Sequence, residues 1–307
     1  MKQYEVAIIG GGGAGLTAAI YTSRARRSTV VFERAVTGGQ IATTDAVENF
    51  PGFPDGVNGF DLGQLMVGQA EKFGAVLVYD DVTAVERAED GAFVIHTASE
   101  TYHARAVIVT AGAAYNRLGI PGESELTGKG VSWCATCDAA FFKDQDVAVV
   151  GGGDAALDEG LFVTRYARSV TLIHRRDQLR GSKILQERVF ANPKFRFLWD
   201  TVVEAIEGES AVTGLRLRNL KTDESSQLNV TAIFIFIGQT PNNHLLKGLV
   251  DLDAGGHAIV DLNMRTSAPG VFAAGDLRIS AARQLIAACG DGATAAISAE
   301  HYIESLA

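Results

Sequence analysis

One strand-to-glycine pattern occurs twice in this chain at a fixed spacing, and it limits the fold more than any other feature. Val6-Ala7-Ile8-Ile9 is a short apolar segment that runs into Gly10-Gly11-Gly12-Gly13-Ala14-Gly15 and then into an alanine-rich helical stretch. Val147-Ala148-Val149-Val150 leads likewise into Gly151-Gly152-Gly153-Asp154-Ala155-Ala156. The first glycines are 151 − 10 = 141 residues apart. The same step carries Gly12 onto Gly153, Gly15 onto Ala156, and Arg27-Ser28 onto Arg168-Ser169, where the next strand begins in both copies. Strand, glycine turn, helix, strand is the βαβ unit in which such glycines have physical work: a tight turn, close backbone approach to a pyrophosphate, and tight helix–strand packing. The pyrophosphate then rests on the helix N-terminus. A single copy could be a bare structural turn, but two in matching contexts predict an α/β fold of two Rossmann-like, three-layer ββα dinucleotide-binding domains.

The same offset distinguishes the two ligands. Glu33 ends the second strand of the first copy, where a carboxylate can accept the hydroxyls of an unphosphorylated ribose. Its counterpart, 33 + 141, is His174, followed by Arg175, Arg176 and, a little further on, Arg180. A carboxylate would repel a 2′-phosphate, whereas guanidinium groups grip one through charge-assisted, often bidentate hydrogen bonds. The first copy, with Gly10, Gly12, Gly13, Ala14 and Gly15, therefore suits FAD. The second, with Gly151, Gly153, Asp154 and Ala155, suits NADP(H). A solvated basic turn is the plainer reading of the arginines, and His174 taken alone suits packing as well as phosphate contact.

Between the two fingerprints stand Cys134-Ala135-Thr136-Cys137 and Asp138. Half a zinc site would need two more ligands. Cys289 is isolated and none of the six histidines forms a second close pair, so no metal is expected. A buried pair of structural thiols is a second reading. Trp133 before Cys134 suggests a thioredoxin-fold active site, but the flanking chain is a nucleotide-binding duplication. A redox-active dithiol serving a flavin fits that setting best. Asp138 could exchange protons with it, since only a thiolate attacks a disulfide, or it could cap a helix. Cys289, on an alanine-rich C-terminal helix, reads as a small buried residue.

Composition narrows the partners. With 307 residues, 47% apolar and 21% charged, the chain has room for two soluble domains. A net charge of −9 argues against a nucleic-acid surface. The N-terminus lacks the apolar stretch of a signal peptide, and no apolar run approaches the ~18 residues of a membrane span. Three cysteines do not make a secreted disulfide framework. The cytoplasm is the expected compartment.

With these pieces together, nearly all 307 residues resemble the low-molecular-weight, bacterial-type thioredoxin reductases, class II of the pyridine nucleotide-disulfide oxidoreductases. Gly38-Gly39-Gln40 and Val47-Glu48-Asn49-Phe50-Pro51-Gly52 match that family's flavin-contacting loop. Cys134-Ala135-Thr136-Cys137-Asp138 matches its redox motif, and His174-Arg175-Arg176-Asp177 with Arg180 its phosphate clamp. Gly238-Gln239-Thr240-Pro241-Asn242 resembles its return to the FAD domain. Val271-Phe272-Ala273-Ala274-Gly275-Asp276, then Arg283-Gln284, match its second flavin segment. The resemblance implies that Gly39, Gln40, Asn49, Gly112, Gly275, Asp276, Arg283 and Gln284 join the FAD site, with Asp276 on the ribityl chain. Without it, Asp276 reads equally well as a helix cap or turn residue. It further implies that Cys137 faces the flavin, that Cys134 attacks the partner disulfide, that the partner is a thioredoxin, and that the enzyme is a homodimer. Departures are small: Gly13 stands where proline is common, Ala139 where glycine is, Thr110-Ala111-Gly112 for Ala-Thr-Gly, Ala155-Ala156 for Ser-Ala, and Asp158 for glutamate.

The order of segments predicts a nested layout. An FAD domain spans 1–112 and 245–307, and an NADPH domain with the dithiol spans 113–244. Two chain crossings, near Gly112–Leu118 and Gly238–His244, could act as a hinge. The dithiol must meet both flavin and partner while the nicotinamide must also meet the flavin, which predicts rotation of the inserted domain. The expected activity is electron transfer from NADPH through FAD to Cys134–Cys137 and then to oxidised thioredoxin. A flavin dithiol oxidase would have no use for the clamp, and a ferredoxin–NADP reductase would lack the dithiol. A non-catalytic flavin/NADP redox sensor would use the same sites without turnover.

Overall fold

In the computed structural model, residues 2–43, 47 and 49–306 are described. The chain opens with β1 (Lys2–Ile9), α1 (Gly13–Arg24), β2 (Thr29–Phe32), α2 (Gly59–Lys72), β3 (Val76–Val78) and β4 (Val82–Arg87). It continues through β5 (Phe93–Thr97), β6 (Thr101–Val109), β7 (Ala113–Tyr115), β8 (Val131–Ser132), α3 (Ala135–Asp138), β9 (Asp146–Gly151) and α4 (Asp154–Val163). Next come β10 (Ser169–Ile173), α5 (Lys183–Ala191), β11 (Phe195–Leu198), β12 (Thr201–Glu207), β13 (Gly214–Asn219) and β14 (Ser225–Leu228). β15 (Ala232–Phe236), β16 (Gln239–Pro241), β17 (Val271–Ala273) and α6 (Leu285–Ser305) complete it. Two compact units result: Met1–Ala114 with Thr240–Ala307, and Tyr115–Gln239.

In the outer unit β3, β2, β1 and β6 pair in parallel, and β17 joins the C-terminal part of β6. The N-terminal part of β6 instead pairs antiparallel with β5, and β5 with β4. Successive strand residues point to opposite faces. Val6 and Ile8 therefore enter a core with Ala14 and Ala18 of α1 and Ala295 and Ala299 of α6. Ala7 and Ile9 enter a second core with Phe93, Ile95, Leu245 and Leu246. Burial on both faces explains why β1 and β2 read as unbroken apolar runs rather than alternating ones. α6 meets α1 at Gly292, where a Cβ would lie 2.1 Å from the Ala14 carbonyl oxygen.

The inserted unit repeats the plan. Its parallel sheet runs β11-β10-β9-β15-β8, and β12-β13-β14 form an antiparallel ribbon. Val147 and Val149 pack with Ala156, Leu157 and Val163 of α4. Ala148 and Val150 pack with Val203, Ile206, Leu215 and Leu217 of the ribbon. Helices, parallel sheet and antiparallel ribbon give the expected three layers in each unit.

The motif spacing placed the insert at 113–244, whereas the compact insert is Tyr115–Gln239. Hydrogen bonds hold the segment just after it in the outer unit. The Asn242 amide donates to Gly112 O (3.0 Å), its side chain to Ala111 O (2.7 Å), and the Asn243 side chain to Gly256 O (2.7 Å). The two crossings pair as a sheet of β7 and β16.

Candidate functional site

At the first turn, Gly10 adopts φ +110°, and a Cβ there would lie 2.5 Å from Thr110 O. A Cβ on Gly15 would lie 1.8 Å from Gly10 O, so only glycine lets α1 start this close to β1. Gly12 caps the helix and is different: its Cβ would meet nothing nearer than 3.9 Å. Protein packing does not demand glycine there. Its missing side chain leaves room in front of the helix N-terminus, where phosphate oxygens find unpaired N–H groups.

Half-buried Glu33 accepts the Gly11 amide on Oε2 (2.8 Å) and the Ala35 amide on Oε1 (2.9 Å). A carboxylate has about four lone-pair sites, so capacity remains for ribose hydroxyls. The Gly38 amide donates to Gly11 O (2.8 Å), which brings Gly39 (φ +61°) beside Gly12. The Gln40 side chain donates to Ala113 O. Gly275 sits against Ala14, 3.2 Å from its Cβ to an added Cβ. Gly13 lies under Leu285 and Cys289, whose thiol faces Gly13 O at 3.6 Å. Asn49 donates to Gln284 Oε1 (3.2 Å), joining two predicted residues 235 apart in sequence. Arg283, at φ +55°, makes the bend into α6. Gly112 (φ +64°) immediately precedes β7. Glu48 of the predicted loop lies outside the described residues.

Asp276 is half-buried in a short turn over Gly275–Leu277. Burial pushes its carboxyl up and Asp291 adds to this, while Arg283 and Arg278 oppose it. Sequence reasoning missed the pair behind that turn. Arg278 Nε and Nη2 donate to the two oxygens of Asp291 at 2.7 and 2.8 Å, and the Gly275 amide donates to Asp291 Oδ2 at 3.1 Å. One signal was present: Asp291 is a lone acid in a stretch of alanine, glycine and cysteine on α6.

The second turn uses the same plan with other side chains. Gly151 has φ +151°, and an added Cβ would be 2.5 Å from Phe236 O. Gly153 caps α4, and nothing lies within 4 Å of its Cβ position. Asp154, in the first turn, accepts the Ser182 amide at 2.6 Å, which holds its carboxyl low. Ala155 is exposed beside it. The Arg180 and Gly181 amides both donate to Gly152 O (2.6 and 3.1 Å). Arg175, Arg176 and Arg180 are exposed, and their guanidinium groups make no ion pair among the described residues. The nearest acid in sequence, Asp177, is engaged by Lys221 (3.2 Å), which also reaches Asp200 (3.0 Å).

His174 is buried beside the second turn. It is 5% exposed, its Nε2 lies 3.1 Å from Gln178 O, and its ring stands edge-on to Trp199. Burial lowers its pKa, with Arg180 and Arg176 adding to the effect. A neutral ring contributes no charge to a phosphate clamp.

Cys134 and Cys137 form a disulfide, Cα–Cα 5.3 Å, with both residues half-buried. Cys134 caps α3, the short helix that carries Cys137 and Asp138. Ser132 Oγ accepts the Cys134 amide (3.1 Å) and donates to Cys134 O (3.2 Å), tying the motif to β8. Arg117 lies over the Trp133 ring at 4.8 Å. Cys289 is buried, and burial pushes its thiol up. Among the described residues no cluster of His, Cys, Asp and Glu is arranged to hold a metal.

Residues 4–292 match the family described as pyridine nucleotide-disulphide oxidoreductase. The chain is 52% identical over 304 residues to the thioredoxin reductase of Streptomyces coelicolor, covering 98% of this chain and 94% of that one. It is 46% identical to that of Bacillus subtilis, covering 99% and 96%. Among solved structures it is similar to the thioredoxin reductase of Streptococcus pyogenes: TM-score 0.83, 43% identity, 99% of both chains.

Proposed function

The chain belongs to the pyridine nucleotide-disulphide oxidoreductase family, and from that premise we propose how its two glycine turns and its dithiol form one electron path. It is an FAD- and NADPH-dependent thioredoxin-disulfide reductase. The observation that carries the assignment of residues is a disulfide, Cys134–Cys137, in the same compact unit as a glycine turn flanked by three guanidinium groups that form no ion pair among the described residues. The open space before Gly12 and Gly153 fits a pyrophosphate at each helix start. Glu33, Gly39, Gln40, Asn49, Gly112, Asp276 and Gln284 hold FAD. Arg175, Arg176 and Arg180 hold the 2′-phosphate of NADPH.

Bound together, the two cofactors supply two electrons to the disulfide. Reduction breaks the Cys134–Cys137 bond and adds two protons, with Asp138 handling proton transfer at the thiols. The Cys134 thiolate then attacks the thioredoxin disulfide and forms a mixed disulfide. Cys137 attacks Cys134 in turn, which restores the disulfide and releases the reduced partner. Rotation about the crossings at β7 and β16 would let the dithiol and the nicotinamide use the flavin in turn. No helix of the described residues is long and apolar enough to cross a membrane; the enzyme acts in the cytoplasm as a homodimer. An oxidase would have no use for the arginines.

Anaerobic mixing with NADPH should bleach the flavin, and oxidised thioredoxin should restore its colour. Bleaching that never recovers with any disulfide partner would sink the reductase assignment. Cys134→Ser should abolish turnover while leaving bleaching intact, as followed by NADPH consumption.

A further inference from the structure

Three consecutive amides pin the segment that carries Arg180 to the second glycine turn. Those of Arg180 and Gly181 reach Gly152 O, and the Ser182 amide donates to Asp154 Oδ1 at 2.6 Å. From the other side, the Gln186 side chain on α5 donates to Gly181 O at 2.6 Å. Gly181 is buried, and a Cβ on it would lie 3.3 Å from Asp154 N and 2.6 Å from Leu157 Cδ1. The main chain of Arg180 is therefore seated on the turn itself.

Gly152 and Asp154 flank Gly153, whose missing side chain leaves open space before α4. The adenosine half of NADPH carries its pyrophosphate and its 2′-phosphate on one ribose, so the sugar fixes their separation. A site that reads both needs its two anion seats at a matching distance. A loose arginine segment would have to be ordered on binding, at a cost in affinity. The Gly152 carbonyl is backbone that any residue would supply, whereas Asp154 is the acceptor that depends on a side chain. Its carboxylate is exposed in the first turn of α4, and the Ser182 amide holds it below the usual carboxylate range. Such a charge suits the positive end of a helix but opposes an incoming phosphate. An acid at this place works against the pyrophosphate unless it serves the nucleotide in another way.

We propose that Asp154 is a positioning residue that sets nucleotide specificity. By holding the Ser182 amide, it keeps Arg180 at the spacing that one ribose bearing both phosphates requires. It favours NADPH over NADH without touching the 2′-phosphate.

The proposal rests on the reading of Arg175, Arg176 and Arg180 as the phosphate clamp, so calorimetry on the wild-type, FAD-loaded enzyme comes first. NADP+ should bind more tightly than NAD+; equal affinities would sink the clamp reading. The same titrations then compare Asp154→Asn, which keeps an acceptor for Ser182 but loses the charge, with Asp154→Ala, which loses both. Asp154→Ala should lower the preference for NADP+ over NAD+ about fivefold, the effect of one hydrogen bond, and the KM ratio of NADPH and NADH should follow. Asp154→Asn should keep the wild-type preference. A merely structural defect would weaken both nucleotides alike and leave the preference unmoved; that result in Asp154→Ala would overturn the proposal. An equal fall in Asp154→Asn would assign the effect to charge and overturn the anchoring. Ser182→Pro decides the matter if the alanine variant does not fold. Ser182 has φ −57°, which proline accepts, so the variant removes the donor and leaves the charge. It should lose the preference as Asp154→Ala does, and an unchanged preference would overturn the proposal.

Discussion

At the first glycine turn the residue ending the second strand, Glu33, accepts the Gly11 amide. Moving by 141 residues gives His174 and Gly152, and there the His174 ring fills the space a Gly152 side chain would need, 2.3 Å from the Cβ position. The same place in the fold therefore braces the same glycine twice, once by a carboxylate and once by a neutral ring. On the proposed assignment of the two sites, what the ribose carries decides which is tolerable, because a carboxylate facing a 2′-phosphate would be repelled. The turns also differ in closeness. β1 stops at Ile9, and α1 begins so near that Gly15 has no room for a methyl. β9 runs on through Gly151, paired with Phe236, and Ala156 fits fully buried at the equivalent position. Support differs as well: Asp291, near the end of the chain, braces the first site, whereas Arg180 and Gly181 brace the second locally.

The largest effect should come from the distant brace. Asp291→Ala leaves the half-buried Arg278 without its bidentate partner, a loss of about 3 kcal/mol. Flavin content and thermal denaturation should show the outer unit failing first, and retained flavin at wild-type stability would remove the contrast in support. Next is the closeness of the turns. Gly15→Ala forces a methyl onto backbone and should cost about 3 kcal/mol, against about 1 kcal/mol for Ala156→Gly. Equal denaturant midpoints for the two variants would show that the first turn is no tighter than the second. Arg175→Ala and Arg176→Ala should each raise KM for NADPH about tenfold and leave NADH use unchanged; a parallel rise for NADH would remove the phosphate from the argument.

The smallest effect concerns His174, whose folded-state pKa lies below its ordinary 6.5. On acidification the unfolded chain takes up that proton first, so the neutral ring's contribution is complete above about pH 6.5 and fades as pH falls toward the folded value. Melting of His174→Gln between about pH 7.5 and 5.5 should lack that part of the slope; an unchanged slope would assign it to other groups.

Much of this was legible because it is local. Glycine turns, the dithiol spacing and strand-end residues need only short-range sequence, and the fixed offset supplied the pairing of one copy with the other. The two-domain α/β fold and the reductase activity were read from those features and the family resemblance they supported. The Arg278–Asp291 clamp and the Lys221 bridge to Asp177 were not, since each depends on which side chains meet after folding. His174 shows the same limit from the other side. Its position at the strand end marked it in the sequence, but only the fold reveals that it is buried against Gly152. Likewise, Asn242 finds carbonyl partners at Ala111 and Gly112 that no local pattern announces.

The pairing of β7 with β16 also bears on biosynthesis. The inserted unit enters and leaves through adjacent strands, and Asn116 and Gly238, at its two ends, are joined by a backbone hydrogen bond. It can close as soon as residue 239 has emerged from the ribosome. The outer unit must wait for β17 and for α6, which covers α1 and supplies Asp291. Domains form in the order their sequence becomes complete, so the unit whose sequence starts first is the last to finish. A chain cut short before Gly292 would be expected to leave a folded insert attached to an outer unit that exposes the alanine face of α1.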